Sequence, residues 1–266
     1  MSNLASIRHL IIDMDGVLWE GDRPLPGLVG FFATLRRLNI TFVLATNNAS
    51  QTPEQYIAKC ARMGVEISRD EILSSAQATA LYLSQQSSNG ARVFALGEDG
   101  VRNALTERGF SLCNLYEVNA QYVVCGMDRG LSWDKLATAT LNIRAGAKFI
   151  GTNPDTTLPT ERGITHGNGA ILAALQTATG VAPTLIGKPE PIMYQQAMAR
   201  LGGTTGDTWA LGDRLETDIL GAIRAGIRSI LVMSGIATPE QLAASDYQPD
   251  IVLPGILELT AELNRA

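Results

Sequence analysis

Two carboxylates one residue apart, Asp13 and Asp15, follow the apolar run Leu10–Ile12 and precede Gly16. Three other polar clusters stand in the same relation to apolar runs. Thr46-Asn47-Asn48 follows FVLA, Gly187-Lys188-Pro189 follows TLI, and Gly212-Asp213 follows TWAL, with Glu216 and Asp218 just beyond. Acids, a hydroxyl, an amine and exposed N–H groups together suit phosphoryl transfer through an aspartate. A phosphate monoester dianion repels an anionic nucleophile, so such a site must supply positive charge. A magnesium ion held by hard oxygen ligands would supply it. Asp13 could attack phosphorus and form an aspartyl-phosphate that water later hydrolyses. Asp15 could protonate the leaving oxygen and then deprotonate that water. Thr46, Asn47 and nearby backbone N–H groups, with those of Met14 and Asp15 among them, would bind the phosphate oxygens. Lys188 would hold a non-bridging oxygen and keep Asp13 ionised, since an adjacent cation favours a charged carboxylate. Asp213 would complete the metal site, with Asp218 a ligand through water or a support to the ligands. Gly16 would let the backbone pass close to the anion without a Cβ in the way.

Taken singly, each cluster has a plainer reading. D-x-D-G is also the start of a calcium loop, but the twelfth position of such a loop would be Pro24 rather than Glu. TNN alone is a turn or helix cap, GKP alone a loop with a solvated lysine, and the acids of GDRLETD alone are favourable charges near a helix N-terminus. Their ordered recurrence, each directly after an apolar run, is what speaks for chemistry. The chain has only 2 histidines, which excludes a histidine metal centre. HGNG at 166–169 resembles a phosphate loop, but no Lys-Ser/Thr follows it, so a Walker-type site is unsupported.

The elements that must carry these residues alternate along the chain. Strands are expected at Leu10–Ile12, Thr41–Leu44, Arg92–Leu96, Tyr122–Cys125, Lys148–Ile150, Thr184–Ile186, Trp209–Leu211, Ser229–Val232 and Ile251–Leu253. Helical spacing links Leu28, Phe31, Phe32, Leu35 and Leu38, and a helix is expected after Pro191 and another near Ala170. Thr52-Pro53-Glu54-Gln55 and Thr238-Pro239-Glu240-Gln241 read as capping boxes with Pro at the first helical position, and Gly64 can end the first of these helices. Such alternation predicts an α/β fold with a mainly parallel sheet, whose ligands bind beyond the carboxyl ends of the strands.

The 266 residues carry a net charge of −5 and no Lys/Arg run, which argues against a nucleic-acid or anionic-membrane partner. Hydrophobic content of 45% supports a full core, while no apolar stretch approaches the ~20 residues of a membrane span. The N-terminus does not read as a signal peptide. Cys60, Cys113 and Cys125 lack C-x-x-C spacing and suit buried free thiols in a reducing cytoplasm.

In this order and at these positions the four motifs resemble the haloacid dehalogenase (HAD) superfamily: Asp13-Met14-Asp15-Gly16, Thr46-Asn47, Lys188, and Gly212-Asp213 with Asp218. GTNPDTTLPTERGITHGNGA and GDRLETDIL are further similar to the NagD-like branch, subfamily IIA, which includes 4-nitrophenyl phosphatase-type enzymes. The resemblance implies a magnesium-dependent phosphatase with a Rossmann-like three-layer core and a mobile cap. It implies Asp13 as nucleophile, Asp15 as acid/base, and Asp13, the Asp15 carbonyl and Asp213 as metal ligands.

Spacing independently says where an insertion lies. Asp13 and Thr46 are separated by enough chain for a short flap, one helix and one strand. The stretch from Thr46 to Lys188 far exceeds the ~10–12 residues of a minimal crossover. Residues 79–183 are therefore expected to form an inserted α/β domain, with 1–78 and 184–266 as the core and hinges near SSAQATA and TGVAP. This matches a C2-type cap, whose closure would exclude water. Within it Asn153, Asp155 and His166 are substrate-contact candidates, although Asn-Pro-Asp is also an ordinary turn. The expected reaction is hydrolysis of a small phosphorylated metabolite. A phosphotransferase or mutase could use the same aspartyl-phosphate. A signalling module phosphorylated on aspartate would be far shorter, and a halide-removing hydrolase would not need the magnesium set. No surface stripe marks an oligomer, though the inserted domain could offer a dimer face.

Overall fold

Every strand expected from the apolar runs is present in the computed structural model, which describes residues 3–160 and 162–265. A six-stranded sheet runs in the order Ile251–Leu253, Arg228–Val232, Thr208–Gly212, His9–Ile12, Thr41–Thr46, Ile72–Ser74. His9–Ile12 is central and pairs in parallel with Thr208–Gly212 on one side and Thr41–Thr46 on the other. The order reverses at this strand, which makes its carboxyl end the topological switch point of the sheet. Ile12 lies opposite both Leu211 and Leu44. This register brings Asp13, Ala45–Thr46 and Gly212–Asp213 to one level at the carboxyl rim of the sheet. The three strands are buried along nearly their whole length, as continuous apolar runs in a two-face-covered sheet must be.

The chain forms two compact units. The first comprises residues 1–46, 54–73 and 188–266, and the second residues 47–53 and 74–187. The first encloses an apolar core built from Leu10, Ile12, Phe42, Leu44, Trp209, Leu211 and Ile230 with helix residues such as Phe31, Leu35 and Leu259. The second has its own parallel sheet in the order Thr184–Leu185, Lys148–Gly151, Tyr122–Cys125, Arg92–Leu96, Ser111–Leu112. Its core includes Phe94, Val123, Phe149, Ile171 and Leu175. Among the described residues no helix is long and apolar enough to cross a membrane.

Two expected boundaries move. The long segment of the second unit starts at Ser74 where residue 79 was expected, because Ser75–Ser84 is one helix capped by Ser74, whose hydroxyl accepts from Gln77 N while the Gln77 side chain accepts from Ser74 N. A boundary inside that hydrogen-bonded ladder would break it. At the other end Thr184–Leu185 pairs with Ile150–Gly151 of the second sheet. Lys188 therefore does not leave a strand of the six-stranded sheet, as its position after TLI suggested. It enters the first unit from a loop that leads into the helix Pro191–Leu201.

Candidate active site

The register of the central strands puts four charged side chains of the first unit together. Lys188 Nζ donates to Asp13 Oδ1 at 2.5 Å, to Asp218 Oδ1 at 2.7 Å and to the Ala45 carbonyl at 3.1 Å. Lys188 is buried, with 3% of its side chain exposed, and so is Asp218; only Asp13 opens partly to solvent. Burial opposes the ammonium charge, but Asp13 and Asp218 outweigh it and drive the Lys188 pKa well up. Asp13 is pushed the other way from an ordinary carboxylate: burial, together with the charges of Asp218 and Asp213, raises its pKa in spite of Lys188.

Asp213 completes the cluster. Its Oδ2 accepts from Ile236 N at 2.8 Å, while its buried Oδ1 has no hydrogen-bond partner. Burial first and the Asp218 charge second push its carboxyl up to about 6. One oxygen of each of Asp13, Asp213 and Asp218 lies within 4.8 Å of the others. Three carboxylates against one ammonium leave an excess of negative charge in a low-dielectric place, and an orphaned carboxylate oxygen costs free energy unless a cation or proton meets it. Hard oxygen donors of this kind fit magnesium.

Local structure explains each position. Asp218 sits in a π-helical turn, Leu215–Ile219, and its Oδ2 accepts from Arg214 N at 3.1 Å. Both of its oxygens thus have protein partners, which suits support of the site better than direct ligation. Tyr194 Oη donates to the Asp218 carbonyl at 3.0 Å from the helix Pro191–Leu201. Gly16, at φ +84°, and Gly235 both lie where a Cβ would overlap the Asp213 carboxylate. Glycine is required at each because the backbone runs against that side chain.

Asp15 is exposed, unlike Asp13, and its Oδ1 accepts from the indole Nε1 of Trp19 at 2.9 Å. Met14 is buried. Thr46 ends its strand buried and is hydrogen-bonded with Tyr56, whose pKa is driven far up by burial and by the nearby acids. Sequence reasoning missed Trp19, Tyr56, Tyr194 and the Ser234–Gly235 turn. An aromatic gives no periodic signal of a polar contact, although Trp19 four residues after Asp15 and a glycine just beyond the strand Arg228–Val232 were visible hints.

The remaining expected residues lie in the second unit. Asn47 Nδ2 donates to Asp155 Oδ1 at 2.9 Å, and the Asn47 carbonyl accepts from Ser75 Oγ and Asn153 Nδ2, each at 2.7 Å. Asn153 is buried, and its own carbonyl accepts from Asn168 Nδ2 at 2.8 Å. Its amide therefore anchors backbone instead of facing solvent where a substrate could reach it. Asp155 is half-buried, and His166 is exposed in the antiparallel pair Thr157–Thr160 and Gly163–His166.

Residues 10–111 match the family described as haloacid dehalogenase-like hydrolase, and residues 185–259 match a HAD-hydrolase-like family. An acid sugar phosphatase of Staphylococcus saprophyticus is 38% identical over 262 residues, 98% of this chain and 100% of that protein. This chain is a haloacid dehalogenase-like hydrolase. The 4-nitrophenylphosphatase of Thermotoga maritima superposes with a TM-score of 0.92 at 33% identity, covering 97% of this chain and 98% of that one. A glycerol phosphate phosphatase of Mycobacterium tuberculosis, in complex with magnesium, superposes with a TM-score of 0.88 at 34% identity, over 96% of this chain and 76% of that one. Relatives of full length are phosphatases, and the reaction of this chain is phosphomonoester hydrolysis.

Proposed function

We propose that the chain is a magnesium-dependent phosphatase of small phosphorylated metabolites, sugar and polyol phosphates foremost, working through an aspartyl-phosphate on Asp13. The observation that carries the site assignment is the Asp13–Lys188–Asp218 ion cluster beside the unpartnered Oδ1 of Asp213. Asp13, Asp213 and the Asp15 carbonyl would hold the metal, with Lys188, itself held by Asp218, fixing Asp13 and the Ile236 N–H fixing Asp213. Bound there, magnesium supplies the positive charge that lets an anion approach a phosphate dianion.

The residues divide the remaining work. Lys188, tied to Asp13 at 2.5 Å, orients the nucleophile and opposes the rise that burial imposes on its pKa, and its positive charge attracts a phosphate oxygen. Thr46 and the N–H groups of Met14, Asp15 and Asn47 bind the other oxygens. Asp13 attacks phosphorus as the leaving oxygen departs, and Asp15 gives that oxygen its proton. Water then attacks the aspartyl-phosphate while Asp15 takes the water's proton, which returns both acids to their starting state. The second unit serves as the cap that selects the substrate, with Asp155 and His166 as its contact residues. The acid sugar and glycerol phosphate phosphatases among the relatives support the substrate class.

Phosphate release across a panel of sugar, polyol, nucleotide and aryl phosphates, with magnesium and with EDTA, tests this reading. EDTA should abolish turnover, and Asp13→Asn should lower it by at least ~10³-fold, as loss of a nucleophile does elsewhere. Full turnover by Asp13→Asn would remove Asp13 from that role.

A further inference from the structure

The hairpin that follows Asp15 has no part in the motifs, yet it holds the proposed acid/base. Trp19 begins the short strand Trp19–Glu20, which pairs with Arg23–Pro24. Its indole Nε1 donates to Asp15 Oδ1 at 2.9 Å, while the residue is only 1% exposed. The backbone keeps the turn between them closed: Gly16 N donates to the Trp19 carbonyl at 2.8 Å, a bond of the isolated bridge between Asp15 and Trp19. Lys59, from the helix Pro53–Arg62, places its ammonium 4.5 Å from the centre of the Trp19 ring. A cation over the ring face attracts it and fixes the ring plane, and with it the direction of the N–H.

An exposed carboxylate on a mobile turn would sample several rotamers, and only one of them reaches the leaving oxygen. A buried, rigid donor removes that freedom at one oxygen and leaves the other to carry the proton. We infer that Trp19 is the positioning residue of the general acid: its indole N–H, aimed by Lys59, holds the Asp15 carboxyl in the orientation that protonates the leaving group.

This rests on the assignment of Asp15 as acid/base, and the test separates the two. Proton delivery matters for an alkoxide leaving group, which is strongly basic, and little for 4-nitrophenolate, which leaves unaided. The measurement is kcat/KM for glycerol phosphate and for 4-nitrophenyl phosphate, which reports the transfer to Asp13, in the wild-type protein and three variants. Trp19→Phe should lower kcat/KM for glycerol phosphate at least tenfold and that for 4-nitrophenyl phosphate less than threefold. Asp15→Asn should show the same selectivity more strongly. Because Trp19 is buried, Trp19→Phe could loosen the fold. Benzothienylalanine placed at position 19 keeps the ring shape and lacks only the N–H, and it should reproduce the selective loss with an unchanged thermal midpoint. Equal losses for both substrates, or wild-type rates with benzothienylalanine, would overturn the role of Trp19 while leaving that of Asp15 intact. An Asp15→Asn enzyme with no leaving-group selectivity would overturn the assignment of Asp15, and with it this inference.

Discussion

Lys188 neutralises one negative charge where three carboxylates meet, and that imbalance governs how the site responds to pH. The Asp213 carboxyl, pushed up to about 6 by burial and then by Asp218, keeps its proton in the metal-free fold at a pH where an ordinary Asp, near 3.8, has lost it. Between those values the native state binds more protons than the unfolded chain, so stability falls as pH rises. The contribution is complete below pH ~4 and lost as pH passes through about 6. The thermal midpoint of the metal-free protein should therefore drop between pH 5 and 7, and Asp213→Asn should flatten that slope. On the metal role proposed for Asp213, magnesium should displace the proton and restore the midpoint at pH 7. An Asp213→Asn protein with the wild-type slope would show that another group is responsible.

Strand register decides which residues meet. Because Ile12 faces Leu44 and Leu211, the next residues along each strand meet at the rim, and Asp13 N donates to the Leu211 carbonyl at 2.8 Å to hold the level. The turn after Arg228–Val232 closes over Asp213: Ile236 N reaches its side chain and Ala237 N its carbonyl. Gly235 is the residue that lets this turn approach so closely. Gly235→Ala should push the turn away and weaken magnesium affinity by roughly 10–100-fold, the usual cost of disturbing the groups behind metal ligands. Calorimetric titration with magnesium would measure it, and unchanged affinity would mean that the turn does not shape the site. The capping boxes at Ser74 and Thr238 act on the same level, stopping the chain's extended path where a helix must start.

Two sheets, each with its own apolar core, divide the chain into units that can evolve different tasks. The first unit holds every charged group of the ion cluster, so, on the substrate-selecting role proposed for the second unit, changes there should leave metal affinity alone and alter which phosphates are preferred. His166 and Ile164 lie exposed on the hairpin strand Gly163–His166. His166→Ala and Ile164→Ala should each change the ratio of kcat/KM between a sugar phosphate and 4-nitrophenyl phosphate severalfold, with magnesium affinity constant. Ratios equal to wild type across the panel would remove this hairpin from substrate selection.

The strands and the polar residues after them were legible in the sequence, because burial of a parallel sheet demands apolar runs and chemistry demands particular side chains beyond them. Asp13, Thr46 and Asp213 needed only that local pattern, and so did the helices behind Thr238 and Pro191. What required the tertiary structure was everything set by partners remote along the chain. Thr184–Leu185 reads like any other strand, and only its pairing with Ile150–Gly151 places it in the second sheet and leaves Lys188 to arrive from a loop. Trp19 carried no periodic signal of a polar role in the sequence, and Asn153 read as a substrate contact or an ordinary turn. Hydrogen bonds to Asp15 and to the Asn47 carbonyl, from Trp19 and Asn153 respectively, gave each a different part. Periodicity records which face of an element is buried; it carries no record of which buried polar atom finds which partner, and that pairing fixes the geometry of the site.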